Sequence, residues 1–457
     1  MKKILICFLC LAVCLSVFSG CGEKKAVVKG DDIEVSSENS KLPEQDMPKY
    51  DYKNLEASDK LDLEPKTSYY TYSYDEKQKL VFEEICQKIS DCEPEINITR
   101  NINQDQIKQM MNVLLLDMPE YFNLAPSYSY ILDANDNVSK VYPSYTMKKE
   151  DYKEALENFD SNATSSLNSL KEKSQYEAEI EIVKKVMDTS IVTSLSPKES
   201  SYSNEKYEFS GNSAITLFGS LQYNYNNSIS MSKAFTYYCR KLGLESSCVI
   251  GEITDNKLRD VYGGDYKAFK SPEKAITTKK DGNKTAVTVD VESFYCWNIV
   301  KINNSWYHTD LYYQSVLDTY LKDTYSFSDT LYSFINMSDK FVSNSRLYYY
   351  NETVLGMLPS CDSQIFQYSY RSGLYFPDYN TSQMTVAINS LINSIASSKT
   401  SSFSLQMADQ KTYDLFLSNF DKLLTQYNES NKQLIRNYEV FENNASYSII
   451  ILNIKYN

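Results

Sequence analysis

One histidine, His308, stands in a chain of 457 residues. Sites built from two or more imidazoles are therefore out of reach. The six cysteines that follow Cys21 form no Cys-x-x-Cys and no Cys-x-x-His pair, and zinc in proteins asks for closely spaced Cys and His ligands. On these grounds no zinc site is expected, and no motif in the chain calls for a metal or another cofactor. Positive charge is also short, since 47 Lys and Arg against 60 Asp and Glu leave a formal charge of −13. Polyanions are held mainly by basic side chains, which argues against nucleic acid as a partner and against an anionic membrane or wall polymer as an electrostatic one.

What is present begins with Lys2 and Lys3, an apolar run from Ile4 to Phe18, and Ser19-Gly20-Cys21. A charged start, a short apolar stretch and small residues before a cleavage point are the parts of a secretory signal. The junction resembles the lipobox of bacterial lipoproteins. It implies cleavage before Cys21, a diacylglyceryl group on the Cys21 thiol, and a location on the outer face of a Gram-positive-type cell membrane, held by the lipid anchor only. Residues 1–20 are thus expected to be the signal and 21–66, rich in Lys, Asp, Glu and Ser, a flexible tether with too little apolar surface to offset the entropy of ordering.

Cys7, Cys10, Cys14 and Cys21 belong to that leader, leaving Cys86, Cys92, Cys239, Cys248, Cys296 and Cys361. Cys86 and Cys92 are close enough in sequence to pair in an exported protein, although spacing alone establishes nothing. The 40 tyrosines suit half-buried strands, and also surfaces that stack on sugars or grip peptides.

Helix-like runs at Asp75–Cys86, Gln104–Leu116 and Lys148–Thr189 alternate with strand-like stretches at Tyr128–Ile131 and Ser139–Tyr145. A helix starting at Ser228 carries Met231, Ala234, Phe235, Tyr238 and Cys239 at spacings of three and four, and Gly243 suits the left-handed position after its end. Ser246–Ile253 reads as a strand, Asp255–Val289 as a surface loop, and Glu292–Ile302 with Ser305–Leu311 as a hairpin turning at Asn303-Asn304. Farther on, Ser382–Ser398 and Lys411–Asn428 are helix-like, and Ser402–Met407 and Ser446–Tyr456 strand-like. The expected organisation is an α+β protein with an N-terminal α+β region at 67–200, a core at 201–331 and a small α/β appendage at 332–457.

Three blocks within the core carry a resemblance. They are Phe218-Gly219-Ser220-Leu221 through Ser228 to Lys233-Ala234-Phe235, then Tyr295-Cys296-Trp297-Asn298, then Trp306-Tyr307-His308-Thr309-Asp310. They resemble the bacterial transglutaminase-like family, whose members read approximately Tyr-Gly-Ala-Leu, Cys-x-Gly-Tyr-Ala-Lys-Ala-Phe, His-Ala-Trp-Asn and Trp-Tyr-His-Val-Asp. Asp117-Met118-Pro119-Glu120-Tyr121-Phe122 is similar to a segment that often precedes the core in the longer members, and by itself reads as a helix stop followed by a Pro-initiated turn. The resemblance spans roughly Thr67 to Phe376 and implies a papain-like fold.

It also implies a degenerate triad. Ser228 falls at the nucleophile Cys, Tyr295 at the base His and Asp310 at the orienting Asp. A serine without an adjacent base is a poor nucleophile, and a phenol, with a reference pKa of about 10, is no base near neutrality. The expectation is a pseudoenzyme whose old acyl-donor groove, with Ser228, Tyr295 and Trp297 as candidate lining, binds an envelope protein, peptide or glycan. Trp297 and Asn298 also suit purely structural roles, and Cys296 points away from the groove as a core thiol. Two alternatives stay open: a weak serine-based hydrolase or acyltransferase using Ser228 with Asp310, and a structural subunit of an envelope complex.

Overall fold

The computed structural model describes residues 57–188, 191–192, 215–253, 273–281, 284–291, 295–325, 332–343, 346–347, 354–377, 402–431, 435–443 and 447–456. The architecture is α+β. Ala57–Val316 and Phe334–Ser363 form one compact unit; Leu317–Ser333 and Gln364–Asn457 group in a second. The division expected at 332 is thus displaced, because Phe334–Ser363 returns to the larger unit, where Met337 pairs through its backbone with His308.

The larger unit opens with a 3-10 turn, Tyr69–Ser73, and helix α1, Glu76–Ser90. The Asp75 carboxylate accepts from Gln78 N while the Gln78 side chain accepts from Asp75 N, so donors that a helix start leaves unpaired are satisfied in both directions. Strand β1 (Ile96–Asn97) precedes α2 (Gln104–Asp117), which starts on the same reciprocal cap between Asn103 and Gln106. A second 3-10 turn, Pro119–Tyr121, leads into the hairpin of β2 (Leu124–Leu132) and β3 (Val138–Tyr145). The single helical run expected at Lys148–Thr189 is two helices, α3 (Lys149–Leu167) and α4 (Gln175–Asp188). Lys171-Glu172-Lys173-Ser174 between them offers no apolar residue to bury.

Strand β4 (Ile191–Val192) pairs in parallel with β5 (Tyr225–Asn226), on either side of helix α5 (Leu217–Tyr223). Helix α6 (Ser228–Lys241) and β6 (Ser246–Ile253) follow. The surface loop expected over Asp255–Val289 is corrected in its second half. There β7 (Glu273–Asp281) and β8 (Lys284–Val291) form a hairpin. Val287, Val289 and Val291 alternate inward along β8, a period of two that pairs it with β2 and extends the first sheet to the order β1-β3-β2-β8-β7. The second sheet adds β9 (Tyr295–Ile302), β10 (Ser305–Thr309) and, past α7 (Leu311–Tyr325) and α8 (Asp339–Val342), β11 (Arg346–Leu347), in the order β10-β9-β6-β11. Asn303, at φ +54, makes the β9–β10 turn.

In the second unit, α9 (Tyr368–Arg371), β12 (Tyr375–Phe376), β13 (Phe403–Met407), α10 (Gln410–Asn431), β14 (Ile435–Asn443) and β15 (Ser448–Tyr456) give a sheet in the order β12-β13-β15-β14. Tyr413, Phe416 and Phe420, three and four apart on α10, are buried. Strand β14 was not expected from the sequence, and the helix expected at Ser382–Ser398 lies outside the described residues.

Residues 57–66 are not tether. Asp59 N donates to Asn303 Oδ1 at 2.6 Å, Lys60 bridges Ser174, and Lys66 N donates to Arg240 O at 3.2 Å. Gly243, at φ +86, is the residue that lets this segment lie down. An added Cβ there would sit 1.7 Å from Asp62 O. Gly243→Ala should therefore lower stability by at least about 2 kcal/mol, from left-handed strain together with displacement of Asp62. Urea denaturation of the two proteins measures the difference.

Candidate functional site

Helix α6 begins where the nucleophile is expected. Asn227 caps it, its Oδ1 accepting from Ile229 N and Ser230 N, both at 3.0 Å, while Ser230 Oγ accepts from Asn227 N at 3.0 Å. Ser228 is thus the first helical residue. Its Oγ accepts from Cys296 N at 3.4 Å, which sets it against the backbone next to Tyr295. Strand β9 then alternates. Cys296 packs into the core with Ile229, Cys248 and Ile250, and Asn298 Nδ2 donates to Ser232 O and Thr236 Oγ1 at 2.9 Å each, while Tyr295 and Trp297 take the opposite face.

On that face Tyr295 Oη donates to the Asp310 carboxylate, 2.7 Å from Oδ2 and 2.9 Å from Oδ1. Asp310 also caps α7, Oδ1 accepting from Tyr313 N at 3.0 Å. The structure therefore brings Tyr295 and Asp310 into direct contact and sets Ser228 one residue away along the β9 backbone. Ser228 is 0%, Tyr295 1%, Trp297 0% and Asp310 0% exposed, so none of the candidate groove residues is presented to solvent.

His308 belongs to a different set. Trp297 Nε1 donates to His308 Nδ1 at 3.1 Å, and His308 Nε2 lies 2.9 Å from Asp339 Oδ1, whose Oδ2 accepts from Cys361 N at 2.8 Å. A ring nitrogen of His308, an Asp339 oxygen and Cys361 Sγ lie within 4.8 Å of one another, the kind of donor set that can hold a metal ion. The hydrogen bonding argues otherwise. An indole can only donate, so Nδ1 must accept and the ring proton sits on Nε2, the atom a metal would need. Burial and the nearby Asp339 and Asp362 also hold the Cys361 thiol well above its ordinary pKa, away from the thiolate that binds metals. These residues form a Trp-His-Asp relay, not a ligand set.

Cys86 and Cys92, which sequence spacing allowed as a pair, are both free thiols. Cys92 Sγ accepts from Asn123 Nδ2 at 3.3 Å, while burial pushes the Cys86 thiol up to about 12.

Four buried charged residues, Lys233, Asp117, Arg240 and Glu179, have roles that the sequence did not reveal. Lys233 on α6 donates to Leu115 O at 2.7 Å and Ile215 O at 3.0 Å, and burial draws its pKa down to about 8. Asp117 accepts from Arg240 and from Cys248 N. Glu179 on α4 is fully buried and accepts from Asn336 Nδ2 at 2.8 Å. Its signal was its place among Ile182, Val183 and Val186, at spacings of three, four and seven on the apolar face. Burial raises the Glu179 pKa to about 8, offset in part by bonds from Asn336 and Thr309.

No protein-family model and no curated protein matches this chain.

The folded-state pKa of Glu179 is above its unfolded value. The folded protein therefore binds this proton more tightly, and stability from this group falls as pH rises from about 4.5 to about 8. Glu179→Gln removes the titration while keeping an acceptor for Asn336. The stability difference between variant and wild type should grow in the variant's favour by a few kcal/mol across that range, since each pKa unit is worth about 1.4 kcal/mol. Guanidinium denaturation at pH 5 and pH 8.5 measures it, and an unchanged difference would show that Glu179 is ionised throughout.

Proposed function

We propose that this chain is a lipid-anchored, extracellular, transglutaminase-like pseudoenzyme that works by binding or scaffolding at the cell surface. The observation that carries the proposal is the Tyr295–Asp310 contact. In a working Cys-His-Asp site the carboxylate orients an imidazole that takes the nucleophile's proton. Here a phenol holds both oxygens of that carboxylate at 2.7 and 2.9 Å and has no free basic lone pair to match an imidazole's near neutral pH. The Ser228 hydroxyl meets the backbone of Cys296. The motif spacing, an apolar helix beginning at Ser228 and a hairpin that carries Tyr295 and ends one residue before Asp310 all favour a papain-like core. Full burial of the site favours a structural lock over an open groove, so recognition is assigned to other surfaces.

The serine-hydrolase alternative would need Asp310 to serve Ser228, but Asp310 is already engaged by Tyr295 and Tyr313 N. Removing a general base typically costs about 10² to 10⁴ in rate. The wild type should show no labelling by fluorophosphonates and no amide hydrolysis above background. Stoichiometric labelling that disappears in Ser228→Ala would replace the pseudoenzyme with a serine hydrolase.

Among the described residues no helix is long and apolar enough to cross a membrane, and Cys21 lies outside them. The anchor proposal rests on Ser19-Gly20-Cys21. Cys21→Ser should leave the protein unprocessed or shed into the medium, as followed by fractionation and by mass spectrometry of its N-terminus. A correctly processed variant that stays in washed membranes would rule the anchor out.

A further inference from the structure

The site at Ser228 is closed, but the larger unit carries an open pocket elsewhere. It has a volume of about 500 Å³ and lies between the 3-10 turn Tyr69–Ser73 and one side of α1. A volume of this size lies within the usual range for small-ligand sites. Its apolar lining comes from Phe82, Met118 and Tyr121, and Tyr72, 51% exposed, offers an aromatic face beside it.

Polar groups stand unmatched around this lining. Lys79 and Glu83, one turn apart on α1, take part in no ion pair among the described residues. Tyr74, which also lines the pocket, packs edge-on against Phe82 at 5.4 Å, yet its buried Oη finds no hydrogen-bond partner. An unanswered buried hydroxyl costs about 1 to 3 kcal/mol, and this one lies out of reach of solvent, so Tyr74 contributes its ring to the lining and not its hydroxyl.

We propose that this pocket binds an uncharged carbohydrate, one or a few pyranose rings of a neutral glycan. Sugar rings present a C–H face that stacks on aromatic rings and a rim of hydroxyls that both donate and accept, and the pocket offers the complements of both. One cation and one anion cancel, and the chain's charge of −13 disfavours an anionic polymer. A peptide is the weaker fit. Every lining residue belongs to α1, to the two 3-10 turns or to their flanks, so no strand edge is available to pair with an extended backbone. The inference stands apart from the pseudoenzyme proposal, because none of its residues belongs to the Ser228 site.

The test is calorimetric titration of the full chain with chitotriose, cellotriose and maltotriose, and with trialanine for comparison. At least one trisaccharide should bind. Tyr72→Ala, at an exposed position, should weaken that binding about tenfold, the scale of one aromatic contact. Tyr74→Phe keeps the ring, removes only the closed-off hydroxyl and should leave binding unaltered with the melting temperature unchanged or raised. Leu415→Ala, exposed on the other unit, should leave it unaltered. Failure of all three sugars to bind, or binding indifferent to Tyr72→Ala, overturns the proposal; tighter binding of trialanine reassigns the pocket to peptide. Neither outcome touches the fluorophosphonate result, which decides the other question.

Discussion

The ion pair of Asp117 and Arg240 is the joint on which the larger unit depends. Both side chains are buried, 0% and 7% exposed, with Arg240 Nη2 2.7 Å from Asp117 Oδ2. Burying two charges stabilises only when their remaining hydrogen-bonding positions are filled. They are filled here. Asp117 also accepts from Ser68 Oγ and Cys248 N, and Arg240 donates to Asp117 O, Ser246 O and Ser247 Oγ at 2.7 to 2.9 Å. One carboxylate thus ties the end of α2, the end of α6, the start of β6 and the segment before the first 3-10 turn. Because β6 pairs with β9 from Ser246 to Gly251, this joint also sets where Ser228 meets Tyr295 along the strand.

The same economy of partners governs the site. Asp310 answers Tyr295 and caps α7, Asn298 answers α6, and His308 links Trp297 to Asp339. A reactive centre keeps a base and a nucleophile available to substrate, whereas here these buried groups are turned toward one another. Among the described residues the buried groups left unanswered include the Asn298 Oδ1 at the site itself, the Tyr74 hydroxyl beside the α1 pocket and one oxygen of Glu179.

Much of this was legible because local rules sufficed. The helix from Ser228, its end at Gly243, strand Ser246–Ile253 and the turn at Asn303 follow from spacing and turn chemistry, and all stand as expected. That Cys296 and Tyr295 face opposite ways follows from strand alternation. The β7–β8 hairpin was hidden by its charged composition, although Val287, Val289 and Val291 carried the period. The roles of Asp117 and Glu179 were not legible. Their partners, Arg240 and Asn336, lie more than a hundred residues away, and no local pattern announces such a pairing. Burial of the site was likewise out of reach, because it depends on how α6, β9 and α7 meet.

The central claim is that Tyr295 is a structural donor to a buried carboxylate and not a vestige beside an open groove. A double-mutant cycle with Tyr295→Phe and Asp310→Asn, read by chemical denaturation, measures it most directly. Tyr295→Phe strips a bond from a buried charge and should cost about 2 to 4 kcal/mol, with much of that loss absent once Asp310 is already Asn. Additive losses, or a Tyr295→Phe variant as stable as the wild type, would contradict the account.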